Sequence, residues 1–152
     1  MRKQRRTVGA IVEIPLADDT HSYGLVLDKA SIAIFNIKTE NEFSIADILK
    51  EDVLFIVAVY NDAITSGRWK KIGKTAIDEK FQELPMKFIQ DSLNPSKFES
   101  YNPNTGEITP STKEECIGLE RAAVWEAEHV ESRITDFFNS RENVWVKQLE
   151  LK

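Results

Sequence analysis

A chain of 152 residues with 41% apolar and 30% charged side chains can build one sizeable core, burying roughly two-thirds of the surface its unfolded form exposes, and is too apolar for intrinsic disorder. Its net charge of −5 is unevenly spread: ten acidic residues face three basic ones between positions 13 and 62, and six face two between 111 and 131, while residues 1–12 hold four basic and no acidic groups. Such acidic blocks repel nucleic-acid phosphates and favour a basic partner, or they serve only solubility; the one cysteine, Cys116, excludes an internal disulfide and a multi-cysteine zinc site and fits a reducing, cytoplasmic compartment.

Residues 1–7 read as a flexible basic tail, lacking apolar anchors, and residues 8–152 as a single α+β domain. The opening charge resembles a signal-peptide start, but Glu13 and Pro15 interrupt the apolar run and no small-residue cleavage site follows. From Val8 to Ile37, three runs rich in β-branched and aromatic residues are separated by short polar connections holding Asp18 and Asp19, then Asp28 and Lys29. This predicts a meander of antiparallel strands, strongly curled and barrel-like, that needs a cover on one face. Gly24 signals a bulge or a close backbone approach.

Ser44 is a helix N-cap, with Asp47 three residues on and Ile45, Ile48 and Leu49 on one face. Val53 to Tyr60 is continuously apolar and is predicted as the central strand, covered on both sides. It is also the longest apolar run, far short of the ~20 residues of a membrane-spanning helix. Asn61 to Gly67 predicts one helical turn or a tight connection. Arg68 to Lys74 interleaves basic residues with Trp69, which suits either an amphipathic strand or a nucleic-acid stacking surface, and the acidic remainder favours the strand.

Met86 to Ile89 predicts a short strand, and Phe98 to Tyr101 with Glu107 to Thr109 a hairpin across Asn102 to Gly106. Ser111-Thr-Lys-Glu114 matches a capping box, although Gly118 limits the helix that follows. Ala122 to Trp125 is compatible with helix or strand. From Ala127, the apolar stripe Val130, Ile134, Phe137 and Phe138 predicts an amphipathic helix that covers the sheet. Val144 to Leu149 alternates like a final edge strand.

Chemistry-bearing motifs are few. Glu126 and His129 have the Glu-x-x-His spacing that places two metal ligands on one helical face, but two-metal carboxylate sites use a pair of such motifs. His21, the only other histidine, falls in a predicted hairpin. A small hydrolase or ligand-binding domain using Glu126 and His129 is therefore the alternative reading, beside a plain surface histidine. No Gly-x-Ser-x-Gly elbow links a nucleophile to a base, Cys116 reads as a structural thiol, and no glycine-rich phosphate loop is present.

Val8-Gly-Ala-Ile-Val-Glu-Ile-Pro-Leu16, followed after a hairpin by Tyr23-Gly-Leu-Val-Leu27, resembles the opening of the bacterial immunity protein 26 family, also labelled phosphotriesterase HocA-like. Gly118-Leu-Glu-Arg-Ala-Ala-Val-Trp125, leading through His129-Val130-Glu131 to Arg133-Ile134, is similar to that family's C-terminal half. The resemblance implies an α+β protein of polymorphic toxin systems that binds a cognate protein toxin and blocks it; no cofactor is expected. It supplies no contact residues. Candidate contacts come from acidity alone: Asp18, Asp19, Glu40, Glu42, Glu114 and Glu115. The hydrolase label implies a metal centre with several histidines, against the two in this chain.

Overall fold

The three runs between residues 8 and 37 form an antiparallel meander in the computed structural model, which describes residues 2–152. Its strands are β1 (Ala10–Pro15), β2 (His21–Val26) and β3 (Ser31–Phe35), with Ile11 opposite Leu25 and Leu25 opposite Ala33. Helix α1 (Ile45–Lys50), capped by the Ser44 side chain on the Asp47 N–H, leads to β4 (Val53–Val59) beside β3. The short α2 (Asp62–Thr65) leads to β5 (Lys70–Lys74), which pairs with β1. A single 3-10 turn, Glu79–Phe81, precedes β6 (Lys87–Gln90), β7 (Phe98–Tyr101) and β8 (Ile108–Ser111). Then come α3 (Lys113–Cys116), β9 (Glu120–Arg121), β10 (Val124–Trp125), α4 (Ala127–Phe138) and α5 (Val144–Leu149).

The strands make two open sheets, a six-stranded one ordered β10-β4-β3-β2-β1-β5 and a four-stranded one ordered β8-β7-β6-β9. The α+β class stands, but the curled, barrel-like meander does not. The reason lies in the alternation. On one face Ala10, Val12, Ile14, Ile32, Ile34 and Val57 pack with Trp69, Trp125 and the α4 residues Val130 and Ile134. On the other, Ile11, Tyr23, Leu25, Ala33 and Phe35 pack with Ile48 of α1, Phe81 and Leu84. A small barrel would bury one of these sets and wet the other, whereas an open sheet between two helical covers buries both. The exposed edge strand β5 carries Lys70, Lys71 and Lys74, charges that oppose edge-to-edge pairing.

Three further expectations are corrected. β4 is not central: it lies second from the edge, flanked by a two-residue β10, and its Leu54, Ile56 and Ala58 are only half-buried, while β3 is buried at every position. Residues 144–149 form a helix. The Asn143 side chain accepts from the Trp145 and Val146 N–H groups, and Trp145, Val146 and Leu149 turn one helical face to the core. Phe137 of the α4 stripe is exposed, and Phe138 packs in its place. Gly24 is in regular register, and its missing Cβ makes room for the Ile32 and Ile14 methyls, so close approach explains it. The bulges fall elsewhere, between Ile11 and Val12 and between Ile34 and Phe35.

The 120–125 segment, ambiguous in sequence, is extended: β9 runs parallel to β6 and β10 parallel to β4, so six residues stitch the two sheets together. Trp69 is fully buried, which decides Arg68 to Lys74 in favour of the amphipathic strand, although Ile72 stays partly exposed. The helix cap shifts by one residue: Thr112 Oγ1 accepts from the Glu115 N–H and lies 3.1 Å from the Glu115 carboxylate, so only the N-cap half of the box forms. The N-terminal segment carries specific contacts. Gln4 donates from Nε2 to the Ile64 and Trp69 carbonyls and accepts from the Lys71 N–H, and Arg6 donates to the Leu27 and Ser31 carbonyls.

Candidate partner interface

In an antiparallel meander, alternate turns lie at opposite ends. The β1–β2 turn, carrying Asp18 and Asp19, therefore shares one end of the large sheet with the segment after β3, carrying Glu40 and Glu42. A bridge between His21 and Thr39 closes the two together. His21 Nε2 lies 2.8 Å from the Tyr23 hydroxyl, whose oxygen also accepts from the Phe43 N–H at 3.1 Å. This knot holds the 39–43 segment against β2. Burial pushes the Tyr23 phenol pKa up, against the bond from the Phe43 N–H and with smaller contributions from Glu13 and Glu42.

Asp18 forms an ion pair with Lys38 at 2.8 Å and accepts from Thr20 Oγ1. These bonds, Lys38's first, hold its carboxyl well below the ordinary 3.8, at about 2. Asp19 occupies the left-handed region at φ 62, which aspartate tolerates in a turn. Asp18, Asp19, Glu40 and Glu42 are all exposed. Lys38 pairs with Asp18 alone, and Asp19, Glu40 and Glu42 face solvent without an ion-pair partner among the described residues.

Glu114 and Glu115 lie elsewhere, on α3 after the last strand of the small sheet. The small sheet meets the large one near Lys29–Ser31, at the β2–β3 turn. The structure thus gathers four of the six candidate residues at one end and separates the other two from them. Sequence reasoning missed what organises this end, the His21–Tyr23–Phe43 knot, because its partners are far apart in sequence.

Glu126 and His129 do not converge on a site. Glu126 is the exposed residue before α4, and His129 stacks on Trp145 with ring centroids 3.6 Å apart. Among the described residues no group of three or more His, Cys, Asp or Glu side chains is placed to hold a metal ion. Cys116 is buried and its Sγ lies 3.7 Å from Ser111 Oγ, in the small-sheet core with Phe88 and Phe98.

The fold and this surface define an α+β protein of two mixed sheets, with a group of exposed carboxylates at one end of the larger sheet. The chain belongs to the immunity protein 26 family, whose model matches residues 7–99, from β1 into β7. The match covers the Val8–Leu27 resemblance and stops before that of residues 118–134. No curated protein and no solved structure matches the chain significantly. No helix among the described residues is long and apolar enough to cross a membrane.

Proposed function

We propose that this chain is an immunity protein that acts in the cytoplasm by binding a cognate polymorphic toxin, and that the end of the large sheet carrying Asp18, Asp19, Glu40 and Glu42 meets a basic surface of that toxin. Family membership supports the immunity role. The carrying observation for the interface is that four exposed carboxylates, from the β1–β2 turn and from the 39–43 segment pinned by the Tyr23 hydroxyl, share one end of the large sheet. Fixed charges of one sign steer an oppositely charged partner and select against wrong ones.

The test is co-expression with the toxin encoded beside the gene, combined with surface-binding kinetics. Reversing Asp18, Asp19, Glu40 and Glu42 to lysine is expected to slow association by about tenfold or more at low salt, within the range of electrostatic steering, and to abolish protection. Reversing Glu114 and Glu115 is the matched control. An equal loss there, with none at the sheet end, would move the interface to α3. Failure of the unaltered chain to protect against any adjacent toxin would overturn the immunity reading itself.

A further inference from the structure

A second feature is independent of the acidic end. Where residues 122–124 cross from the small sheet to the large one, a cavity of about 360 Å³ opens between the sheets, at the lower end of the size range of small-ligand sites. Its walls include Ala58, Ile89, Ile108, Ala122 and Val124, and two lysines line it, the exposed Lys29 and the buried Lys87.

Lys87 alternates out of β6 toward this space and is 4% exposed. Lysine is almost never buried to this degree without a partner. Among the described residues its ammonium makes no hydrogen bond and no ion pair within 4 Å. Glu120, opposite Lys87 across the β6–β9 pair, is already held in a two-pronged pair by Arg133, with both bonds at 2.9 Å. Burial pushes the Lys87 pKa down, against the weaker pull of Glu120. The side chain has lost part of its hydration without gaining a protein acceptor, a cost that an anion reaching it through the cavity would offset. Ile108 and Val124 stay about half exposed, at 51% and 47%, offering apolar contact above the lysine.

We propose that this cavity binds a small monocarboxylate with an aliphatic body, its carboxylate on Lys87 Nζ and its chain against Ile89, Ile108 and Val124. The walls select among anions. Phosphate needs several donors or a cluster of cations, whereas here Lys87 is the one buried cation of the lining, Lys29 is exposed, and the other walls are mostly apolar. A neutral apolar ligand would fill the space and leave Lys87 unpaired.

The experiment titrates the full chain, labelled for methyl and amide NMR, with hexanoate, hexan-1-ol and inorganic phosphate. Hexanoate is expected to shift the Ala58, Ile89, Ala122 and Val124 methyls saturably and to bind about tenfold tighter than hexanol, the factor a charge-assisted hydrogen bond supplies. Phosphate is expected to leave those methyls unmoved. Lys87→Met should erase the preference for hexanoate over hexanol. Equal binding of acid and alcohol, methyls unmoved by hexanoate, or phosphate binding as tightly as hexanoate would each overturn the proposal. The comparison of the three probes on the unaltered chain decides it even if Lys87→Met does not fold. Toxin binding plays no part in the readout, so the two readings stand or fall separately.

Discussion

Replacing Glu131 tests how α4 is fastened to the strand that follows α2. Trp69 is 0% exposed, and its indole Nε1 donates to Glu131 Oε2 at 2.8 Å. The same carboxylate receives Arg68 through Nε at 2.8 Å and Nη2 at 2.7 Å. The two interactions differ in worth. The Arg68 side chain is 40% exposed, so its ion pair contributes about 0–1 kcal/mol after solvent screening. The indole N–H is buried, and stranding it without an acceptor is destabilising by about 1–3 kcal/mol. Glu131→Ala is therefore expected to destabilise by about 2–3 kcal/mol. Glu131→Gln keeps an amide oxygen for the indole and should lose only about 0.5–1 kcal/mol. Urea unfolding reads this directly. With a slope of about 2 kcal/mol per molar, the alanine variant's midpoint falls by about 1 M and the glutamine variant's by less than half of that. If glutamine is as damaging as alanine, or if Arg68→Ala alone reproduces the full loss, the guanidinium rather than the indole dominates and the reasoning fails.

Four further outcomes are expected. The Asp18 carboxyl, depressed to about 2 by Lys38 and Thr20, should stay ionised at about pH 3 in a carboxyl-carbon NMR titration, where an ordinary aspartate is mostly protonated. Because its folded value is lowered, its stabilisation is whole above the ordinary 3.8 and disappears as pH falls through about 2; Lys38→Met should move the midpoint upward, and an unmoved midpoint would exclude the ion pair as its cause. Asn143 caps α5 and also donates to Ser132 Oγ and Asp136 Oδ2, so Asn143→Ala should lower stability by about 1–2 kcal/mol in chemical denaturation. Gln4→Ala removes the acceptor of the Lys71 N–H and the donor to two carbonyls; faster amide exchange at Lys71, with a loss of about 1–3 kcal/mol, is expected. Gly67 sits at φ 86 with the Arg2 backbone where a Cβ would go, so Gly67→Ala should lower the melting temperature and release the N-terminal segment to protease, and an unchanged cleavage rate would argue against that contact.

Local signals carried well where one element's own residues decide its form. Ser44 and Asp47, the alternation of Ala10, Val12 and Ile14, the Phe98–Tyr101 hairpin and the Val130–Ile134 stripe all encode elements close to where they are found. Val144 to Leu149 failed for a stated reason: alternation over six residues fits a strand as well as a helix face. The Asn143 cap and the stack of Trp145 on His129 tip it to helix. Of the candidate contacts, the acidity of Asp18, Asp19, Glu40 and Glu42 was legible in composition. Their common location was not, because it depends on which turns of the meander share an end and on the bridge from His21 to Thr39.

By itself the amino-acid sequence determined the class of the fold, the meander of β1 to β3, the family and the acid-rich surface, because propensity, alternation and charge are properties of neighbouring residues. Only the tertiary structure decided that the sheet stays open between two helical covers, that residues 120–125 join it to a second sheet, and that Lys87 lines the cavity between them without an ion-pair partner. Each of these depends on which distant side chains compete for the same buried surface, and that competition is settled only when the whole chain packs.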